Sequence, residues 1–292
     1  MKKITNKNLN QEITWLLNEK YSGQMTKRAQ RDIERLRAGE PVDCVIGYKK
    51  FCGCKIDLRY KPLIPREETE FWIKKGLDIF FQEMRGCPSG QPRSDAWQNF
   101  AEAYRAILPA YAPEKKYSAP SLRILDVFAG SGCCGIAVLK HLPGAKCDFC
   151  DIDPQMIRQI RLNLRKNRIS DKRYRVFQSD IFSKIKKKYD IILTNPPYIA
   201  FGQKNKVQKS VLGFEPKKAL FAKNQGLYFI EKFLSQVKNY LNKGGVIYLE
   251  FGYNQKKAIE KLLKKFGYQN FEFYRDQFAK WRYLKIFFNS SS

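Results

Sequence analysis

Asp126-Val127-Phe128-Ala129-Gly130-Ser131-Gly132 joins a strand that starts at Arg123-Ile124-Leu125 and runs to Phe128 to a helical pattern reaching about Leu142. Glycines in such a turn let backbone N–H groups approach a ligand closely. Outward from it, strands and helices alternate. A strand is predicted over Cys147–Cys150, then a helix capped by Asp153, with Pro154 at its first position, running to about Asn167. Tyr174–Gln178 and Asp190–Thr194 read as strands, Gly226–Leu241 as a helix ending at Gly244, and Val246–Phe251 as a strand. Asn254 caps a helix that ends at Gly267, and the closely spaced Phe271–Arg275 and Arg282–Phe288 read as an antiparallel pair. The alternation predicts an α/β fold, a doubly wound sheet with helices on both faces.

This pattern occupies residues 121–292, after three other segments. Residues 1–38 carry apolar side chains at helical spacing. Residues 39–85 hold a β-hairpin, built from Cys44-Val45-Ile46-Gly47 and Lys55-Ile56-Asp57-Leu58, and a connecting helix from about Glu67 to Met84. Glu67, Glu68 and Glu70 in that helix's first turn suit the macrodipole, and Phe71, Ile73, Leu77, Phe80, Phe81 and Met84 supply its apolar side. Residues 86–120 read as a linker or insertion, with a short helix over Ala96–Leu108 between ends rich in Gly, Pro and Ser.

With 292 residues and 43% hydrophobic side chains, the chain can bury a sizeable core. It has neither an apolar leader after its basic start nor a run of membrane-spanning length, so the expected location is the cytoplasm. The eight cysteines then read as free thiols. Cys147-Asp148-Phe149-Cys150 has the spacing of a metal or redox pair, but it lies in a predicted strand without a matching second pair, so no metal site is expected. The single His141 lies far from any nucleophile signature, which argues against a His-dependent hydrolase. The net charge of +27 fits either contact with an anion such as nucleic acid or the ribosome, or lysine-rich solvated helix faces.

Polar residues stand at four successive predicted strand ends, the edge on which such sheets bind ligands. The first is the glycine turn, where Gly130, Gly132 and Gly135 only half meet a dinucleotide fingerprint. Asp151, 19 residues after Gly132, stands where an acid binds the two ribose hydroxyls of an adenosine. Asp180 could accept from an adenine amino group, with Ile181 against the ring. Asn195-Pro196-Pro197-Tyr198 ends the fourth strand, Ile191-Ile192-Leu193-Thr194. Its prolines stiffen a frame carrying a side-chain carbonyl, free backbone carbonyls and an aromatic face, which together can grip a planar NH2 group. The bland alternative is an ordinary strand exit broken by prolines.

These motifs resemble class I S-adenosylmethionine-dependent methyltransferases that act on planar nitrogens. N-P-P-Y is shared by DNA adenine methyltransferases and by the protein-glutamine methyltransferases of the HemK/PrmC family. Residues outside the clamp favour the second branch. They are Gly39-Glu40-Pro41 with Gly47 and Phe51, Leu63-Ile64-Pro65-Arg66-Glu67-Glu68-Thr69-Glu70, Gly213-Phe214-Glu215-Pro216 with Ala219-Leu220, Gly244-Gly245, Glu250-Phe251-Gly252 and Tyr274-Arg275-Asp276. Phe128 departs from the family in standing where the first glycine of the cofactor turn is usual, and Glu67 replaces a proline. The helical segment before Gly39 is short for the family.

The resemblance implies a Rossmann-like, seven-stranded, mostly parallel sheet with an antiparallel C-terminal strand. It implies methyl transfer from S-adenosyl-L-methionine to the glutamine of the Gly-Gly-Gln motif in class I peptide-chain release factors. Asp126, Phe128, Ala129, Gly130, Ser131, Gly132, Asp151, Asp180, Ile181 and Asn195 would hold the cofactor. Asn195, Pro196, Pro197 and Tyr198 would hold the substrate, with Asn195, Pro196 and Tyr198 also acting in catalysis. Arg66, Thr69, Glu70 and Glu215 would support the site. Adenine methylation, another planar nitrogen in a ribosome-associated protein, and a non-catalytic module that kept the fold are the competing readings.

Overall fold

A computed structural model describes residues 6–85 and 122–288. The chain opens with helices α1 (Asn6–Tyr21), α2 (Lys27–Arg37) and the single turn α3 (Val42–Ile46), then the hairpin β1 (Tyr48–Phe51) and β2 (Cys54–Asp57), then α4 (Glu67–Arg85). After the gap come β3 (Arg123–Val127), α5 (Cys133–His141), β4 (Lys146–Asp151), α6 (Pro154–Lys166), β5 (Tyr174–Gln178) and β6 (Tyr189–Thr194). A small excursion follows: β7 (Ile199–Ala200), α7 (Lys209–Phe214) and β8 (Phe221–Ala222). Helix α8 (Tyr228–Leu234), β9 (Leu241–Glu250), α9 (Lys256–Lys265), β10 (Phe271–Arg275) and β11 (Trp281–Phe287) complete it.

Seven strands form one sheet in the order β10-β11-β9-β6-β3-β4-β5. Strands β9, β6, β3, β4 and β5 run parallel, and β11 pairs antiparallel with both β9 and β10. Buried central strands need apolar residues on both faces. β3 meets this with Ile124, Leu125 and Val127, and β6 with Ile192 and Leu193. Helix α5 lies so close to the sheet that a Cβ on Gly135 would sit 2.3 Å from the Phe149 ring. On α9, Ile259 and Leu263 are buried while Lys257, Lys261, Lys264 and Lys265 face solvent, so much of the lysine excess here serves as an outer helix face. Cys147 and Cys150 belong to the cores on opposite faces of the sheet, which removes any chelating geometry. Among the described residues no helix is long and apolar enough to cross a membrane.

Several local expectations are corrected. Cys44–Ile46 is helical, since Pro41 starts the turn and Gly47 at φ +94° ends it; the hairpin is Tyr48–Phe51 with Cys54–Asp57. The helix expected over Gly226–Leu241 is confined to α8, because Gln225 and Gly226 adopt positive φ and a 3₁₀ turn over Val237–Tyr240 leads directly into β9. Gln255, not Asn254, precedes α9 as its cap residue. Among the described side chains of α4, Trp72 is fully buried, while Phe71 is only half-buried. The Ala96–Leu108 helix and the side chains of Phe80, Phe81 and Met84 lie outside the described residues.

The hairpin is tied to α6, which packs on the seven-stranded sheet, through an amide ladder. Gln159, Asn163 and Asn167 stand at i, i+4 and i+8 along one buried face of α6 and its cap. Their side-chain oxygens accept from the backbone N–H of Tyr60 (2.8 Å), Asp57 (2.8 Å) and Lys55 (2.9 Å). Their amide nitrogens donate back to the carbonyls of Asp57 and Lys55. The helix thus satisfies the open edge of β2 as a neighbouring strand would. Asn163 also donates to Ser131 O at 2.9 Å, inside the glycine turn. Asn163→Ala is expected to destabilise the protein by about 2–4 kcal/mol, since it leaves several buried backbone groups unpaired; urea unfolding checks this.

Candidate active site

Five parallel strands direct their carboxyl ends to one edge of the sheet, where a cavity of about 360 Å³ opens. The turn after β3 forms its floor. Asp126 is buried and accepts from the N–H of Gly135 at 2.8 Å, holding the first turn of α5 against the strand. Phe128 has φ +57°, in the left-handed region that favours glycine. Its ring stacks edge-on against Phe229 at 5.7 Å. At the end of β4, Asp151 accepts from Gly130 N and Asp153 N, both at 2.9 Å. After β5, Asp180 is exposed and paired with Lys232 at 2.8 Å, while Ile181 is buried at φ +49°. Two non-glycine residues at positive φ on one cavity wall mark a backbone held in place by its surroundings.

Asp126, Phe128, Ala129, Gly130, Ser131, Asp151, Asp180, Ile181, Asn195 and Pro197 all line this cavity. Gly132 does not; at φ +78° it starts α5, facing Ile136 and Ile160. A second cavity of about 370 Å³ is lined by Asn195, Pro196, Tyr198, Val207, Val211 and Glu250, among others. The two cavities share Leu63, Arg66, Asn195 and Ala219. Asn195 therefore stands at the junction, with Pro197 on one side and Pro196 and Tyr198 on the other.

The clamp is held from beneath. Gln255 donates to Tyr198 O (2.9 Å) and Gln225 O (3.1 Å) and accepts from Gly252 N (2.9 Å). Glu250, buried at the end of β9, accepts from Thr69 Oγ1 (2.7 Å), Trp72 Nε1 (2.7 Å) and the Tyr198 hydroxyl (3.2 Å). Asn195 Nδ2 donates to Thr69 Oγ1 at 3.4 Å, and Arg282 Nη1 to the Tyr198 hydroxyl at 3.4 Å. Burial raises the Glu250 carboxyl, against the opposing pull of its donors, and raises the Tyr198 phenol together with the nearby Glu250 charge. Glu215 accepts from Ile64 N (3.0 Å) and Arg66 (2.7 Å), fastening the Leu63–Arg66 segment between the cavities. Glu70 lies elsewhere: it accepts from Cys52 N and pairs with Lys74, bracing the hairpin.

Glu250, Trp72, Gln255 and Arg282 received no role from the sequence. An acid inside the apolar run Val246–Phe251 was a usable signal, because a buried carboxylate requires donors. The partners of that acid, Thr69, Trp72 and Tyr198, lie 181, 178 and 52 positions away, which no local pattern reveals.

Burial pushes the Asp126 carboxyl up to about 8, with the Asp151 charge adding to the shift and the Gly135 N–H opposing it. The folded value lies above the ordinary aspartate value of 3.8, so the folded state holds the extra proton between the two. This contribution to stability is complete below about pH 4 and is lost as pH rises through about 8. In thermal melts of the ligand-free protein, Asp126→Asn, which keeps an acceptor for Gly135, is expected to flatten the decline in Tm across that window relative to the parent.

A family model described as methyltransferase small domain matches residues 110–214. The N-terminal domain of human METTL16, solved in complex with SAH, has the same fold with a TM-score of 0.52 and 15% identity, over 95% of this chain and 94% of that one. A bifunctional methyltransferase of Rickettsia prowazekii is 28% identical over 97% of this chain, which spans 51% of that longer protein. A release factor glutamine methyltransferase of Lactococcus lactis is 30% identical over 278 residues, 94% of this chain and 88% of the relative. A match of that extent along both chains, on a sheet whose strand ends carry the glycine turn and the Asn195 clamp, places the protein in the release factor glutamine methyltransferase family.

Proposed function

We propose that this methyltransferase transfers a methyl group from S-adenosyl-L-methionine to the side-chain amide nitrogen of the glutamine in the Gly-Gly-Gln motif of class I peptide-chain release factors. The observation that carries this reading is the junction of two cavities at Asn195, one fit for a nucleoside and one opening on the clamp. The first cavity has the size of a small-molecule site. Asp151 keeps lone pairs beyond those facing Gly130 and Asp153, enough for two ribose hydroxyls. Asp180 and Ile181 would bracket the adenine. When bound, the cofactor supplies an electrophilic methyl group on a sulfonium.

An amide nitrogen is a weak nucleophile because its lone pair is delocalised into the carbonyl. Asn195 Oδ1 and the Pro196 carbonyl would accept the two amide N–H bonds as positive charge develops on nitrogen, an interaction stronger in the transition state than in the ground state. Tyr198, its hydroxyl tied to Glu250, orients the amide plane. The new N–C bond forms as the C–S bond breaks, and the nitrogen then releases one proton to water. His141 takes no part: its Nε2 is engaged with the Cys52 carbonyl at 3.0 Å.

Parallel incubations with methyl-labelled cofactor test the reading. Label is expected in release factor and not in adenine-containing DNA; label in DNA adenine alone would replace the proposal with base methylation, which requires a flipped nucleotide.

A further inference from the structure

We infer that Thr69 and Glu250 fix which end of the Asn195 amide faces the substrate, and so make the site select a carboxamide over a carboxylate; this rests on the glutamine reading above. The inference follows from which groups can donate. An indole N–H only donates, so Trp72 identifies Glu250 Oε2 as an acceptor. Thr69 Oγ1 lies 2.7 Å from the same oxygen and directs its single proton there. Thr69 then has only lone pairs left for Asn195, so the end of the amide that meets it at 3.4 Å is the NH2. Oδ1 occupies the opposite end, at the junction of the cavities.

The far side of the clamp follows the same logic. Arg282 only donates, so the Tyr198 hydroxyl accepts from it and donates its own hydrogen bond to Glu250 Oε1. Donors from α4 and the clamp thus converge on one buried carboxylate, and Arg282 of β11 reaches it through the Tyr198 hydroxyl. The amide NH2 of a glutamine meets the acceptor Oδ1, whereas a glutamate carboxylate in its place meets lone pairs and is repelled. Without the Thr69 hydroxyl, the Asn195 amide is free to turn over and present its NH2 to the cavity, which a carboxylate would accept. Thr69 and Glu250 are positioning residues here, acting through Asn195.

The test uses release factor carrying its glutamine as substrate and the same factor with that glutamine changed to glutamate as competitive inhibitor. In the parent protein the glutamine form is expected to bind about a hundredfold or more tighter than the glutamate form. Thr69→Val is expected to narrow that ratio to below about tenfold and to lower kcat/KM by about thirtyfold. Thr69→Ser, which restores the hydroxyl, is expected to stay within about threefold of the parent in both quantities. In an Asn195→Ala background, Thr69→Val is expected to change the residual rate by less than about twofold, because its effect runs through the missing amide. An unmoved glutamine-to-glutamate ratio in Thr69→Val, or an equal loss in both backgrounds, would overturn this inference while leaving the glutamine reading intact. A parent protein that methylates no release factor overturns both.

Discussion

Asn195→Ala is expected to lower kcat/KM for methyl transfer by about 10²–10³, the loss typical when one acceptor or donor aimed at developing charge is removed. Most of the fall should appear in kcat. Asn195 Oδ1 is proposed to meet the substrate N–H bonds most strongly as the nitrogen becomes cationic, so it contributes little to ground-state affinity. Cofactor affinity, measured by calorimetry with the demethylated product, should stay within about threefold, since the glycine turn and Asp151 remain. Asn195 does touch the first cavity, but as one of many lining residues. A large loss of cofactor binding with an unchanged kcat would assign Asn195 to the nucleoside instead of the clamp.

Gly226→Ala is the second large effect, and it reaches the same clamp from behind. A Cβ at Gly226 would lie 2.0 Å from the Tyr198 carbonyl oxygen and 2.7 Å from Gln255 Nε2, at a residue whose φ is +86°. Neither neighbour can yield cheaply. The carbonyl belongs to the Asn195–Tyr198 backbone, and the Gln255 amide is the group that fixes that carbonyl at 2.9 Å. The substitution should cost about 2–4 kcal/mol of stability through clash and backbone strain. It should also reduce kcat by about a hundredfold or more by displacing the clamp, given how steeply rate depends on placement. Gly213→Ala is the matching control: nothing lies within 4 Å of its Cβ position and it sits within α7, so it should be neutral or slightly stabilising. Thermal melts and steady-state rates on both variants separate the two costs.

The parts of this site legible in the sequence were those written at strand ends. Asp126, Asp151, Asp180 and Asn195 each follow an apolar run, and the parallel topology that such runs imply carries them to one edge. Local turn chemistry was also readable where one residue decides it, as with Asp153 capping α6 by accepting from Gln155 N at 2.9 Å. It failed where a second signal overrode the first. Cys44-Val45-Ile46 has the look of a strand, yet Pro41 and Gly47 bracket a single helical turn. Gly226 to Leu241 carries helical spacing, but the chain must turn at Gln225 and Gly226 to pass behind the clamp, so the helix starts late. Non-local partnerships were the least visible. The amides of Gln159, Asn163 and Asn167 read as ordinary helix polarity until β2 is seen to lie against them. Glu250 is similar, since the reason for its burial lies on α4 and in the clamp.

The central claim is that the group receiving the methyl is the glutamine side-chain nitrogen presented to Asn195. Tandem mass spectrometry of release factor, after incubation with the protein and methyl-labelled S-adenosyl-L-methionine, tests it most directly. The expected result is a single labelled methyl on the side-chain amide of the glutamine in the Gly-Gly-Gln segment, incorporated at an initial rate about a hundredfold or more lower when Asn195→Ala replaces the parent protein. Label on any other residue, or undiminished label with Asn195→Ala, would contradict it.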